Sequence, residues 1–522
     1  MDSIGVNNLR SLKSIHVDLK PITIFIGKNS AGKSTLLRTL PLLKQTFETH
    51  TSEPVLWYGK YVDFGDFDQS LTHDSPNECI EFSFSLVCSP VLRKPFFSLT
   101  KIDRREFHLT VACRKSNTSW ITLSFDDQEI RIDFGTNEEI TKLTVNHMEY
   151  STEYLKAANT RNFFPIIAHK SVPLDIHDDK KLQSSFQRSF DFEVEYVLKE
   201  LVEQFKPYRH TNTKDLTIYQ AISRISSGSK QETYSYILQN KSLPTGMLKT
   251  LKSKLQFDSV EFKKINDLLV VYSFPYIWKT VREQIIKELA NIRYSKPLRT
   301  TAERYYRIQG LSIDEVDPSG ENVAMVMNSM RGSTLTKFGD WTEKTFGCRF
   351  YTVTRGGHVS VVVKDSRSNH EDNLADTGFG YSQVLPILLS SWLTTEQKQE
   401  RVSLANDLLF NALLSDSYCE VIEQPELHLH PAFQAKLIDA FAGIVTQNNK
   451  KNNIKFILET HSETIVNRLG YLIYKKKLPA DMVNVVVFNK NENDISTATQ
   501  IEYNEKGQLK NWPIGFFDPD GV

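Results

Sequence analysis

The spacing of apolar positions changes character twice along the chain. In residues 1–148 apolar and polar positions alternate in short runs: Ile15 to Leu19, Cys79 to Cys88, Phe107 to Cys113, Trp120 to Phe125 and Ile130 to Phe134. A period of two in short runs predicts half-buried strands in an antiparallel sheet. One run departs from it. Ile22-Thr23-Ile24-Phe25-Ile26 is apolar and β-branched, which predicts a buried strand, and a helix is expected from Leu36 to Leu40. In residues 149–295 the period becomes helical: Val281, Ile285, Leu289 and Ile292 line one face, with Arg282, Glu283, Lys287 and Glu288 between them. The run from Phe192 to Phe205 behaves similarly. No long heptad run and no CxxC hook appears, so this segment predicts a compact helical insertion rather than a coiled-coil arm. In residues 296–522 helix and strand alternate. Thr334 to Phe346 reads as a helix, and Arg349 to Thr354 with His358 to Lys364 as a strand pair joined at Gly356-Gly357. The alternation continues to about Lys490 and argues for a mostly parallel sheet.

Composition narrows this picture only a little. The 522 residues carry 63 Lys+Arg against 63 Asp+Glu, so no global positive field advertises nucleic acid, although a local basic groove remains open. Lys249, Lys252, Lys254, Lys263 and Lys264 form one loose basic patch, with a solvated helical face as the competing reading. The five cysteines show no paired spacing and read as reduced, mostly buried thiols. No apolar run reaches the roughly 18 residues of a membrane span, and the N-terminus lacks a signal pattern. A cytoplasmic protein without membrane contact is expected.

Chemistry enters at Gly27-Lys28-Asn29-Ser30-Ala31-Gly32-Lys33-Ser34-Thr35, which fits G-x-x-x-x-G-K-[ST] between a predicted strand and a predicted helix. In that setting Asn29 to Thr35 would cradle nucleotide phosphates, with Lys33 on the β/γ-phosphates and the Ser34 hydroxyl on Mg²⁺. Gln69, in the loop from Val62, stands where a γ-phosphate sensor and metal-side residue would lie, against an ordinary surface glutamine. A second site is Tyr418-Cys419-Glu420-Val421-Ile422-Glu423-Gln424-Pro425-Glu426. An apolar strand ending in acids is where such an ATPase holds Mg²⁺ and orients water, so Glu423 is the expected metal-side carboxylate, with Gln424 and Glu426 beside it. The third is Phe456-Ile457-Leu458-Glu459-Thr460-His461-Ser462-Glu463, where His461 could reach the γ-phosphate or the attacking water. The fourth, Asp376-Thr377-Gly378-Phe379-Gly380-Tyr381-Ser382-Gln383, opens an apolar helix and suits an anion at Gly378, Gly380, Ser382 and Gln383.

In this order the four motifs resemble an ABC-type ATPase head, most closely the OLD/RecF/SMC-like ATPases of bacterial anti-phage systems. Asn8-Leu9-Arg10-Ser11-Leu12, Pro297-Leu298-Arg299, Asp317-Pro318-Ser319-Gly320-Glu321-Asn322 and the ending from Asn511 to Asp518 are similar to that group too. The resemblance implies an α/β fold: an ABC-ATPase head (P-loop NTPase) with an antiparallel β lobe and a compact helical insert. It implies ATP and Mg²⁺ as cofactors, and a homodimer or higher oligomer in which Ser382 and its glycines close over ATP held by another copy. His461 would be the switch histidine, and Leu427 to His430 would lie at the dimer interface. One residue departs from the pattern. Gln424 stands where such heads carry a glutamate base, and an amide cannot accept a proton from water. Either Glu426 takes over, or hydrolysis is slow.

Septu PtuA-type and retron-associated ATPases resemble this layout. They imply a sensor or regulator linked to nucleic acid, with a separate HNH nuclease or a reverse transcriptase complex as partner. A repair ATPase of RecF or SMC type is the alternative. Intrinsic nuclease activity is not expected: the short stretch after His461 leaves no room for a Toprim domain around Asp518 and Asp520, and helix-surface charge explains Glu193, Glu195 and Lys199.

Overall fold

The computed structural model describes the chain apart from residues 74, 76–77, 90, 94–98, 102–103, 174–192, 210–212, 226, 310–312, 314, 367–369, 397–416, 449–452, 493 and 513–522. The ending quoted from Pro513 onward, with Asp518 and Asp520, lies outside the described residues. Two compact units form. One comprises Met1–His50, Leu56–Ser75 and Lys287–Val522; the other comprises Thr51–Val55 and Pro76–Ile286. The three expected segments, 1–148, 149–295 and 296–522, do not follow these units, since the β-rich first segment contributes to both.

The first unit is built on a six-stranded sheet in the order Ile292–Ser295, Ser417–Glu423, Asn453–Glu459, Ile22–Gly27, Val483–Lys490, Ser496–Ile501. All pairings are parallel except the last. The Ile22–Gly27 strand is buried at every position, as its unbroken apolar run requires. The helix Lys33–Glu48 packs against it and against the strands ending at Ser295, Glu423 and Glu459, and the helix Pro431–Asn448 packs on the two central strands. Ile292, expected to extend a helical face, instead opens an edge strand, because its backbone pairs in parallel with Cys419. A smaller antiparallel sheet joins Cys348–Arg355, His358–Asp365, Tyr306–Arg307 and Glu371–Asn373. The helix Glu463–Tyr474 is crossed closely by the turn at Gly507: a Cβ on Gly470 would stand 2.4 Å from the Gly507 carbonyl oxygen. Only glycine permits that approach.

The second unit contains an antiparallel meander, Ile80–Cys88, Arg105–Cys113, Thr118–Phe125, Gln128–Phe134, Ile140–Val145 and Met148–Tyr150, each paired with the next. Short strands, Leu155–Ala158 with Ile166–His169 and Ser171–Pro173 with Glu193–Glu195, interrupt the segment expected to be helical. Among the described residues five α-helices follow: Tyr196–Phe205, Asp215–Ile222, Lys230–Gln239, Thr245–Lys254 and Val260–Ala290, the last ending in the first unit. Phe82, Phe163, Phe164 and Trp278 stack edge to face through its core, and Trp278 Nε1 donates to the Pro165 carbonyl at 2.9 Å. Among the described residues no helix is long and apolar enough to cross a membrane.

Candidate nucleotide-binding site

The loop between the Ile22–Gly27 strand and the Lys33–Glu48 helix turns through left-handed backbone at Ser30 (φ 61°) and Gly32 (φ 95°). Such a turn points successive N–H groups into one concavity. A Cβ on Gly27 would meet the Phe488 carbonyl oxygen at 2.3 Å, so the neighbouring strand itself demands glycine there. Asn29 and Ser30 are exposed at the apex, Ala31, Gly32 and Lys33 are buried, and Ser34 and Thr35 are half-buried. Lys33 Nζ folds back on the loop, donating to the carbonyls of Gly27 (2.9 Å) and Lys28 (2.8 Å). Burial pulls its pKa down, with Glu459 opposing.

Two strand ends face this loop, and they are occupied differently. Glu423, whose side chain is 3% exposed, accepts from Arg38 Nε and Nη2 at 2.7 Å each and from the Tyr294 hydroxyl at 2.5 Å. The bonds to Glu423 outweigh burial and hold the Arg38 pKa above its ordinary value; burial and the same carboxylate push Tyr294 up. Glu459 lies directly across in register from Glu423. Its Oε1 accepts from Ser34 Oγ at 2.8 Å, while Oε2 is buried without a hydrogen-bond partner. Burial raises its pKa; the bond from Ser34 opposes this and neighbouring Glu423 adds to it. Ser34, expected with Glu423 on the metal side, donates its hydroxyl to Glu459, whose strand lies between those of Glu423 and of the loop.

After Glu423 the chain turns through Gln424 (φ 44°), whose N–H donates to the Glu459 carbonyl at 2.8 Å. Glu426 is bonded on both oxygens, by the Thr460 hydroxyl and the His461 N–H at 2.8 Å each. His461 stands at the turn between strand and helix, with Ser462 capping that helix. Partial desolvation, then nearby Lys33, pull its pKa down, so the imidazole is neutral near pH 7. Gln69 is the third residue of the short helix Phe67–Ser70, exposed, with its amide turned toward Gly65; among the described residues no contact brings it to Ser34 or Glu423.

The stretch from Gly378 opens the helix Phe379–Glu396. Gly378 and Phe379 are exposed, and Gly380 lies close under the His428 carbonyl. Ser382, in the first turn, donates to the Phe379 carbonyl at 2.8 Å. Phe379 and His428 face one another at 6.0 Å, and both are exposed, so this helix start and His428 share one surface. Arg299 ties it to the acidic turn: buried, it donates to the carbonyls of Gln383 (3.2 Å) and Gln424 (3.0 Å) and accepts from the Gln383 amide on its own carbonyl. Desolvation brings its pKa down to about 10.

Arg38, Tyr294, Arg299 and Glu459 were not assigned roles from sequence. Glu459 could have been noticed as an acid closing an apolar strand; nothing local distinguishes Arg38 or Tyr294. A divalent cation carried by ATP needs only one or two protein oxygens besides phosphate and water. Ser34 Oγ and the unpartnered Glu459 Oε2 are such donors, so the residues present fit Mg²⁺. Among the described residues no group of three His, Cys, Asp or Glu is arranged to hold a metal without such a ligand.

Residues 1–466 match the family described as AAA ATPase domain. No curated protein matches the chain. Among solved structures, similarity is found to the Smc head domain with an extended coiled coil bound to the C-terminal domain of ScpA from Pyrococcus furiosus (8% identity, 96% of each chain covered, TM-score 0.34). It is found also to the SMC head domain from Thermotoga maritima (8%, 95% of this chain and 97% of that one, 0.31). A third is the recombination mediator protein RecF-ATPrS in the RecFOR pathway (14%, 95% and 97%, 0.26).

Proposed function

The chain belongs to the AAA ATPase domain family and is an ATPase, and from that premise we propose that it is a nucleotide-driven switch. Two copies close around ATP, and the closed state, linked to nucleic acid, controls a separate effector nuclease in anti-phage defence. The observation that carries the reading is the exposed helix start at Gly378. Phe379 is 62% exposed there beside exposed His428. A bare aromatic next to a helix N-terminus suits a surface that a second copy and its phosphates would cover. Asn29 to Thr35 hold the nucleotide from one side, with Lys33 on its phosphates, and Gly378, Gly380, Ser382 and Gln383 meet it from the other copy. Bound Mg²⁺ would supply neutralisation of phosphate charge. Neutral His461 can donate to the γ-phosphate or orient water, while the Gln424 amide takes no proton. Turnover is therefore slow and the closed state long-lived, which suits a switch.

Light scattering with and without MgATP tests the reading. A dimer formed with ATP and lost in Ser382→Arg supports it; a monomer under all conditions overturns it. The effector half is tested by nuclease assays on the purified chain alone and with an HNH nuclease or reverse transcriptase encoded beside it. Cleavage only with that partner is expected. Cleavage by the chain alone, abolished in Lys33→Ala, would make it a nuclease, and a recombination operon around the gene would favour a RecF- or SMC-type repair ATPase.

A further inference from the structure

Four side chains crowd the ends of the Ser417–Glu423 and Asn453–Glu459 strands, and their bonds leave one carboxylate oxygen unused. Glu423 is occupied on Oε1 by Arg38 and Tyr294 and on Oε2 by Arg38. Gln424 has no charge. Glu426 gives both oxygens to Thr460 and His461. Glu459 gives Oε1 to Ser34, and its Oε2, in a residue 4% exposed, has no partner. A buried carboxylate oxygen left unpaired costs more than almost any other polar defect, and a cation removes that cost.

We propose that Glu459, not Glu423, is the carboxylate that faces the nucleotide-bound divalent cation, either directly or through one of its waters. The inference rests on the reading of this loop as the ATP site and sharpens which acid serves it. Three features point the same way. Ser34, the loop hydroxyl that takes the metal in this motif, already shares a hydrogen bond with Glu459. Glu459 stands on the strand next to that of the loop, one strand closer than Glu423. Glu423 carries its own cation, the Arg38 guanidinium, in a bidentate pair. Arg38 is thereby a positioning residue. It engages both oxygens of Glu423 and leaves Glu459 as the carboxylate with a free oxygen behind Ser34.

The test is binding of a fluorescent ATP analogue in Mg²⁺ and in EDTA. The wild-type chain should bind more tightly in Mg²⁺. Glu459→Gln should lose that increment, on the order of 10–100-fold, with metal-free affinity unchanged or improved, whereas Glu423→Gln should keep it. Glu459→Asp guards against misfolding of the first variant: it retains the charge but withdraws the oxygen, and should lose at least about tenfold of the increment at an unchanged melting temperature. Full retention in both Glu459 variants, or loss in Glu423→Gln alone, overturns the assignment. Failure of the underlying reading looks different: Lys33→Ala would then bind as well as wild type, or no nucleotide would bind at all.

Discussion

Ser417–Glu423 and Asn453–Glu459 run side by side in parallel register, and each closes an apolar run with a glutamate. Glu423 faces a guanidinium and a phenol and is hydrogen-bonded on both oxygens. Glu459 faces a serine hydroxyl and is left with an unpaired oxygen and a raised pKa. Similar local patterns therefore end in different hydrogen-bonding arrangements, because different groups lie across from each acid. The first glutamate has both oxygens bonded, and the second keeps one oxygen open.

Breaking the bonded end should have the largest effect. Glu423→Ala leaves Arg38 and Tyr294 without their acceptor and is expected to cost about 2–3 kcal/mol in denaturant unfolding, moderated because Arg38 keeps access to water. A cost near zero would show that the pair is not structural. Next comes the residue after that acid: Gln424→Glu should raise the ATP turnover rate roughly tenfold to a hundredfold by supplying a proton acceptor, and an unchanged kcat would locate the base elsewhere. Glu426→Ala removes the shared acceptor of Thr460 and His461 and should cost about 1–2 kcal/mol in the same unfolding experiment.

The smallest effect is a pH signature of the unpaired end. The folded-state pKa of Glu459 is raised above its ordinary 4.5, so the stability tied to its protonated form is fully present below 4.5 and is lost as pH rises through the folded value. Glu459→Gln, which cannot ionise, should be more stable than wild type at pH 7.5, with the advantage vanishing toward pH 4.5. Thermal melts across that range read it, and a pH-independent difference would place the cause in packing instead.

Most strands and the nucleotide loop were legible because their signals are local: a period of two, an unbroken β-branched run, glycines ahead of Lys33. Local spacing misleads at Ile292, where the helical period persists but the backbone finds a parallel partner in Cys419. It misleads again at 149–295, where short strands sit among helices. Gly470 carries no turn signal at all; its need for glycine comes from Gly507, far along the chain.

Sequence alone determined the nucleotide loop, the glycine-led helix start at Gly378, the acids and histidine that end the later strands, and the α/β class, since each is written in contiguous residues. Which acid is paired and which is unsatisfied was decided only in three dimensions. Arg38, Tyr294 and Ser34 come from segments distant in sequence, and strand order alone sets Glu459 beside the loop and Glu423 one strand beyond it.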